Sequence, residues 1–369
     1  MKPGVYVHIP FCEQRCYYCA FTVAVTPEHT YEPYVNRVLR EIELSGFNEP
    51  PETIFFGGGT PSIIDARSIE KILRSLPKGA TEVSIEVNPG TLSDQKLELY
   101  RDAGINRISL GVQSFDDNDL KTAGRLHSAE DVFRDIDTLR QYEFSNIGID
   151  LIAGLPHQQR EAWTRNLDHV GRIEPEHVSI YMLDVEERSV WGNSQTSTDD
   201  VFAEFYREAA DRLAQAGYIH YEISNWALPG FECCHNLKYW TGVPYRGFGV
   251  SAHSFSNTQR YWNTSSLPEY SSLLDAGQLP IKGTEELTRE MRLEEAFLIG
   301  LRRTCGFDIW SVAGDLDFQY PTEWFDRVCE LEDAGWVQFD GKVLKLTPAG
   351  WLLANGITEE LLWPNLLSI

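Results

Sequence analysis

The stretch Gly4-Val5-Tyr6-Val7-His8-Ile9-Pro10-Phe11-Cys12-Glu13-Gln14-Arg15-Cys16-Tyr17-Tyr18-Cys19 decides how the rest of the chain is read. Its first half, apolar and β-branched between Gly4 and Pro10, reads as a strand. Cys12, Cys16 and Cys19 follow at Cys-x3-Cys-x2-Cys spacing, with no fourth cysteine nearby. Thiols set so closely argue for a metal site. Iron–sulfur cubanes normally take four protein thiolates, so a triad suggests a cluster with one iron free to bind something else, much as catalytic zinc keeps an open position. A zinc ion completed by a distant His or Cys, and three unrelated thiols, are the alternatives.

Outward from this stretch, short apolar segments recur at Thr53–Gly57, Glu82–Val87, Arg107–Val112, Gly148–Ile152 and His177–Met182. Between them, 31–44, 68–76, 93–103, 129–142, 159–171 and 199–216 carry apolar residues at helical spacing. Such alternation implies βαβ units with parallel strands. Six units fall two short of a closed eight-fold barrel, so the expected fold class is α/β, a partial open (βα)6 barrel. Its chemistry should gather at the C-terminal strand ends. Residues 1–217 are assigned to the barrel and 218–284 to an aromatic-rich extension or lid. Residues 285–369 are read as a small α+β winged-helix-like module with helices near 289–303 and 322–334 and a hairpin turning at Asp340-Gly341.

Composition bounds the function. A chain of 369 residues can bury two cores. No apolar run reaches the roughly 18 residues of a membrane span. The net charge of −23 opposes binding to nucleic acid or anionic membranes, and 285–369 holds sixteen acidic against seven basic side chains. The N-terminus lacks a secretory signal and the seven cysteines make no disulfide framework, so reducing cytoplasm is expected.

Several other residues stand where chemistry would gather. Gly57-Gly58-Gly59-Thr60-Pro61-Ser62 follows the second strand, where glycines let backbone approach a ligand. Glu86, Gln113 and Asp150 lie at or near the ends of the third, fourth and fifth strands. Buried polar groups of this kind need a ligand or a mutual network. Arg125 is available to pair with an anion, and Tyr18 sits inside the triad.

Together these segments resemble the radical S-adenosylmethionine (SAM) enzymes, and within them the oxygen-independent coproporphyrinogen oxidase group with its heme-chaperone branch. The motifs that carry the resemblance are the Cys triad, the Gly-rich segment, Gly111-Val112-Gln113-Ser114-Phe115, and Asp150-Leu151-Ile152-Ala153-Gly154-Leu155-Pro156. It implies a four-iron four-sulfur (4Fe-4S) cluster on Cys12, Cys16 and Cys19. It also implies SAM among Tyr6, Tyr18, Gly58, Gly59, Thr60, Glu86, Gln113, Arg125 and Asp150. The oxidases resemble Cys-x3-Cys-x2-Cys-x-Cys, whereas Ala20-Phe21 follows Cys19 here, and the chaperone branch usually has Asp at the position of Ala20. The oxidases' N-terminal arm is expected to be absent, the chain beginning three residues before its first strand. His235-Asn236-Leu237-Lys238-Tyr239-Trp240 matches the branch's His-Asn-x-x-Tyr-Trp element. The resemblance thus favours a chaperone that binds heme and passes it to an acceptor protein. His235 is the foremost axial candidate, with Cys234, His253 and His8 as rivals. Oxidative decarboxylation of coproporphyrinogen III, needing an electron donor to cleave SAM, and a radical SAM reaction on another substrate are the alternatives. Whether the chain forms a homodimer is open.

Overall fold

A computed structural model of the chain describes residues 2–192 and 198–362. The last seven residues of the C-terminal module, 363–369, lie outside the described residues. Six strands, β1 (Gly4–Ile9), β2 (Thr53–Gly58), β3 (Glu82–Val87), β4 (Arg107–Gln113), β5 (Ile147–Ala153) and β6 (His177–Met182), pair in parallel in chain order. They match the segments expected from sequence to within a residue at either end. Each crossover before β6 contains a helix, of which Tyr31–Ser45, Ala66–Ser75, Asp94–Ala103, Ala129–Gln141 and Arg160–Ile173 are the principal ones. Local chemistry sets their ends: Ser128 and Asp131 form a reciprocal capping box at the start of 129–141. Val7, Ile54, Ile85, Ile108 and Ile149 from the strands share one core with Val38, Ile69, Leu97, Ile136 and Trp163 from the helices.

The other strand face mixes polar and small residues with the aromatics Tyr6, Phe55 and Tyr181. Ser84 and Arg107 stand side by side, as do Glu86 and Ser109, Gly148 and His177, and Asp150 and Ser179. Barrel interiors are ordinarily filled by Val, Ile and Leu; here the interior rows are built for contact with something polar.

The barrel stays open. The chain adds β7 (Ile219–Glu222), β8 (Asn225–Ala227), β9 (Tyr245–Phe248), β10 (His253–Ser256), β11 (Gln259–Asn263) and β12 (Ile281–Glu286). β9 runs parallel to β1 on its free edge, and β8 runs antiparallel to β6 on the opposite one. The resulting twelve-stranded sheet has the order β12-β11-β10-β9-β1-β2-β3-β4-β5-β6-β8-β7. The segment 218–278 thus holds five short strands that extend the sheet at both edges, with the helices Cys234–Trp240 and Leu267–Asp275 among them. Its strands satisfy the N–H and C=O groups that an unclosed barrel leaves exposed.

Beyond β12, the helices Arg289–Gly300, Ile309–Asp315, Thr322–Asp333 and Ala354–Leu362 surround a small sheet. It consists of β13 (Phe307–Asp308), β14 (Val337–Phe339) and β15 (Val343–Leu346), in the order β13-β15-β14. Phe297, Trp324, Leu344 and Leu361 centre a separate core. Asp340 accepts from the Lys342 and Val343 amides, pinning the hairpin turn.

Candidate functional site

The loop after β1 folds back on itself: the Cys12 amide donates to the Ala24 carbonyl at 3.1 Å and the Cys19 amide to the Cys16 carbonyl at 3.1 Å. All three thiols thereby line one cavity at the C-terminal strand ends, about 1410 Å³ with the space at its mouth included. Cys12 is buried, while Cys16 and Cys19 are half-buried. Among the described residues no three His, Cys, Asp or Glu side chains converge on a single ion position. In a cubane each thiolate takes its own iron, so the three side chains need not meet at one ion position. Burial pushes the Cys12 thiol up to about 11, opposed by Thr60 Oγ1 donating to Sγ at 3.6 Å. Arg125 donates to Cys16 Sγ at 3.4 Å. Donors aimed at sulfur favour the ligating thiolate, so the residues present fit such a cluster.

The Gly-rich segment is pressed against this loop. A Cβ on Gly59 would stand 2.6 Å from the Phe11 carbonyl oxygen and 2.7 Å from that of Pro10; one on Gly58, where φ is +119°, would stand 2.7 Å from the His8 ring. The amides of Gly58, Gly59 and Thr60 donate to Glu86 Oε2, the Ile9 carbonyl and the Phe11 carbonyl. Those N–H groups are therefore committed to protein, although all three residues still line the cavity.

Glu86 and Asp150 reach the cavity from adjacent parts of the interior. Burial, and after it the Asp150 charge, raises Glu86 to about 8. Burial raises Asp150 as well, against hydrogen bonds from Ser179 and Ser109, the latter at 3.0 Å. Two desolvated carboxyls facing one space favour a cationic ligand. Gln113 lines the same cavity at a φ of 66°, where the pairing of β4 with β5 slips register. A non-glycine residue in that conformation, at a cavity wall, is strain of the kind that accompanies binding sites. Tyr18 lies on the wall with its ring 6.2 Å from Trp191. Arg125 is not a free counter-charge: besides Cys16 it holds Asn88 Oδ1 at 2.8 Å and the Gly111 carbonyl at 2.7 Å.

Tyr6 and His235 are placed elsewhere. Both line an inner chamber of about 600 Å³, its opening included, which shares Glu86, Ser109, Asp150 and Tyr181 with the outer cavity. The His8 ring accepts from the Tyr6 hydroxyl at Nδ1 (3.0 Å) and donates from Nε2 to the Thr22 carbonyl (2.9 Å). His235 is equally engaged, with Nδ1 2.8 Å from Thr53 Oγ1, Nε2 2.9 Å from the Tyr239 hydroxyl and the ring stacked on Phe55 at 5.2 Å. It presents no free nitrogen in this arrangement. Cys234 and His253 are exposed and line neither space.

Asn88, Ser109 and Tyr181, which the motifs did not single out, belong to the outer cavity. Arg107 and His177 belong to the inner chamber. The signal that could have found most of them is the strict alternation in Glu82-Val83-Ser84-Ile85-Glu86 and Arg107-Ile108-Ser109-Leu110-Gly111, which puts every polar residue on the interior face.

The radical SAM superfamily model matches residues 6–170, and the HemN C-terminal domain model matches residues 287–353. A Synechocystis sp. heme chaperone HemW is 35% identical over 93% of this chain and 88% of its own length. That of Lactococcus lactis is 33% identical over 98% of each, and that of Bacillus subtilis 32% identical over 96% of this chain and 97% of its own. The solved structure of Escherichia coli coproporphyrinogen III oxidase (HemN), a radical SAM enzyme, superposes with a TM-score of 0.85 over 98% of this chain and 90% of that one. At 24% identity that likeness establishes the fold.

Proposed function

The chain belongs to the HemW family of heme chaperones, and we propose on that footing that it binds heme and transfers it to an acceptor protein, carrying a 4Fe-4S cluster and SAM. The observation that carries this reading is likeness to named heme chaperones along nearly the whole chain at 31–35% identity. Three thiols around one cavity beside two desolvated carboxyls support the cofactor pair.

In this reading Cys12, Cys16 and Cys19 ligate the cluster, and Thr60 and Arg125 steady the sulfurs. Glu86 and Asp150 receive the cationic portions of SAM, while Tyr18, Gly58, Gly59, Thr60 and Gln113 shape the cavity wall. When bound, the cluster supplies an electron and an open iron position. Residues 1–217 serve the cofactors, 218–284 carry the heme element, and 285–369 make up the C-terminal module. His235, whose Nε2 now meets the Tyr239 hydroxyl, would be the residue to hold the heme iron, and Tyr6 lines the same chamber. All seven cysteines are unpaired, which suits reducing cytoplasm. No helix among the described residues is long and apolar enough to cross a membrane.

The test is a parallel pair of measurements on anaerobically reconstituted protein. Hemin titration should give a saturable Soret shift, weakened by His235→Ala and strengthened by Tyr239→Phe, which frees Nε2. Incubation with coproporphyrinogen III, SAM and a reductant should yield no protoporphyrinogen. Robust protoporphyrinogen formation without a Soret shift would overturn the chaperone reading in favour of the oxidase.

A further inference from the structure

Between the two donors that reach the cysteine sulfurs stands a side chain that the cofactor reading leaves unused. Asn88 lies one residue beyond β3, where the Thr91 amide and hydroxyl both donate to its carbonyl, at 3.2 and 2.7 Å. Its own amide donates to Ser62 Oγ in the Gly-rich segment at 3.4 Å. With the backbone fixed on both sides, the residue lines the outer cavity beside the cysteine loop.

The orientation of the side-chain amide follows from its neighbours. Arg125 Nη2, 2.8 Å away, can only donate, so it meets Oδ1. Nδ2 is then turned to Thr60 Oγ1, also at 2.8 Å, and donates to it. Because Nδ2 cannot accept, the one proton of the Thr60 hydroxyl is left for Cys12 Sγ at 3.6 Å.

Arg125 is aimed by the same amide. Asn88 Oδ1 and the Gly111 carbonyl hold its Nη2, which leaves Nη1 on Cys16 Sγ at 3.4 Å. One side chain therefore connects both sulfur donors, Thr60 on Cys12 and Arg125 on Cys16. Gly111 keeps the space this arrangement needs: a Cβ there would stand 3.3 Å from Asn88 Oδ1 and 3.1 Å from Gln113 Nε2.

We infer that Asn88 is a positioning residue for the cluster: by aiming Thr60 at Cys12 and Arg125 at Cys16, it makes a cluster on those thiolates easier to reduce. The inference rests on the assignment of the cluster to Cys12, Cys16 and Cys19. Hydrogen bonds to ligating sulfur are among the means by which a protein tunes such a potential. The direction follows from charge. Reduction adds an electron to a site whose sulfurs are already negative, and donors that share this charge favour the reduced state.

The test is a redox titration of the full chain, reconstituted anaerobically without SAM and followed by the electron paramagnetic resonance of the reduced cluster, with iron and sulfide counted first. Asn88→Leu should lower the reduced-to-oxidised ratio at a fixed potential by roughly tenfold, about 59 mV for one electron. Thr60→Val, which removes the hydroxyl and keeps the shape, should shift it the same way, whereas Thr60→Ser should keep the parent value. The double variant Thr60→Val with Asn88→Leu should shift by less than the sum of the two, since Asn88 acts on Cys12 only through Thr60. If Asn88→Leu fails to fold, the isosteric Asn88→Asp takes its place in the cycle: its carboxylate accepts the Thr60 proton that Cys12 loses, and the shift should shrink once Thr60→Val is present. Full iron and sulfide with an unchanged potential in the Asn88 variant, or shifts that simply add, would overturn the inference and leave the cluster assignment intact. A parent that assembles no cluster would overturn both.

Discussion

Glu86 carries the clearest single-residue consequence. Its carboxyl is held at about 8, against 4.5 in the unfolded chain, so between those values the folded state keeps a proton that the unfolded state has lost. The group's contribution is complete below about pH 4.5 and declines as pH rises towards 8, a swing on the order of 5 kcal/mol. Glu222, raised to about 7 by burial, adds to the same decline. His8, His127 and His220, each lowered to about 4 by burial, act with opposite sign below about pH 6.5. Comparing parent with Glu86→Gln cancels those backgrounds: in urea titrations the variant should gain relative stability steadily from about pH 5 to about pH 8, and a constant difference would refute the shifted carboxyl. Gly59 offers a second test, because backbone carbonyls rather than flexible side chains occupy the space of its missing Cβ. Gly59→Ala should cost about 2–3 kcal/mol. Gly171→Ala, in a helix with nothing within 4 Å of the added Cβ, should gain about 0.5–1 kcal/mol in the same denaturation assay. At this scale the sequence was readable where the partners are close in the chain, as in the Cys triad. It was not readable for His235, whose engagement with Thr53 and Phe55 joins residues about 180 positions apart.

Among elements, β1 to β6 were legible because each carries an apolar outer face covered by a helix and is bounded by turn residues. The later strands were not. β8 has three residues and β7, β9 and β10 four each, too few for a periodicity to declare itself, and their pairing is set by the vacant edges of β1 and β6 rather than by local pattern. Register alone does not hold the β9–β12 extension. Glu41, on helix 31–45, accepts from the Gly249 amide at 2.8 Å, Asn263 Nδ2 at 2.6 Å and the Tyr270 hydroxyl at 2.7 Å, tying three points of the extension to one carboxyl. Glu41→Leu removes the acceptor and leaves the buried Gly249 amide and Tyr270 hydroxyl unpaired, Asn263 Nδ2 keeping the Gly249 carbonyl, so it should cost roughly 3–5 kcal/mol. The urea midpoint should fall with little change in slope, whereas a loss below about 1 kcal/mol would mean that the extension is held by its strand pairing alone.

For the whole molecule, charge and ion pairing pull salt dependence in opposite directions. The net charge of −23 is spread over one chain, and repulsion among like surface charges opposes compaction. Ion pairs such as Arg37–Asp275 and Lys282–Glu269 favour the folded state, but they join partly exposed side chains and contribute little each. The acidic excess is also present within the C-terminal module, so repulsion acts within that second core as well as between it and the barrel. Raising sodium chloride from about 10 mM to about 300 mM shortens the screening length from about 30 Å to well under 10 Å, which weakens both effects. The unpaired excess acts at longer range and exceeds the paired charge in influence, so the net result should be stabilisation by about 1 kcal/mol. Urea titration is the appropriate assay, since guanidinium is itself a salt. A midpoint that falls with added salt would show that the surface ion pairs, rather than the acidic excess, govern how this chain responds to its ionic surroundings.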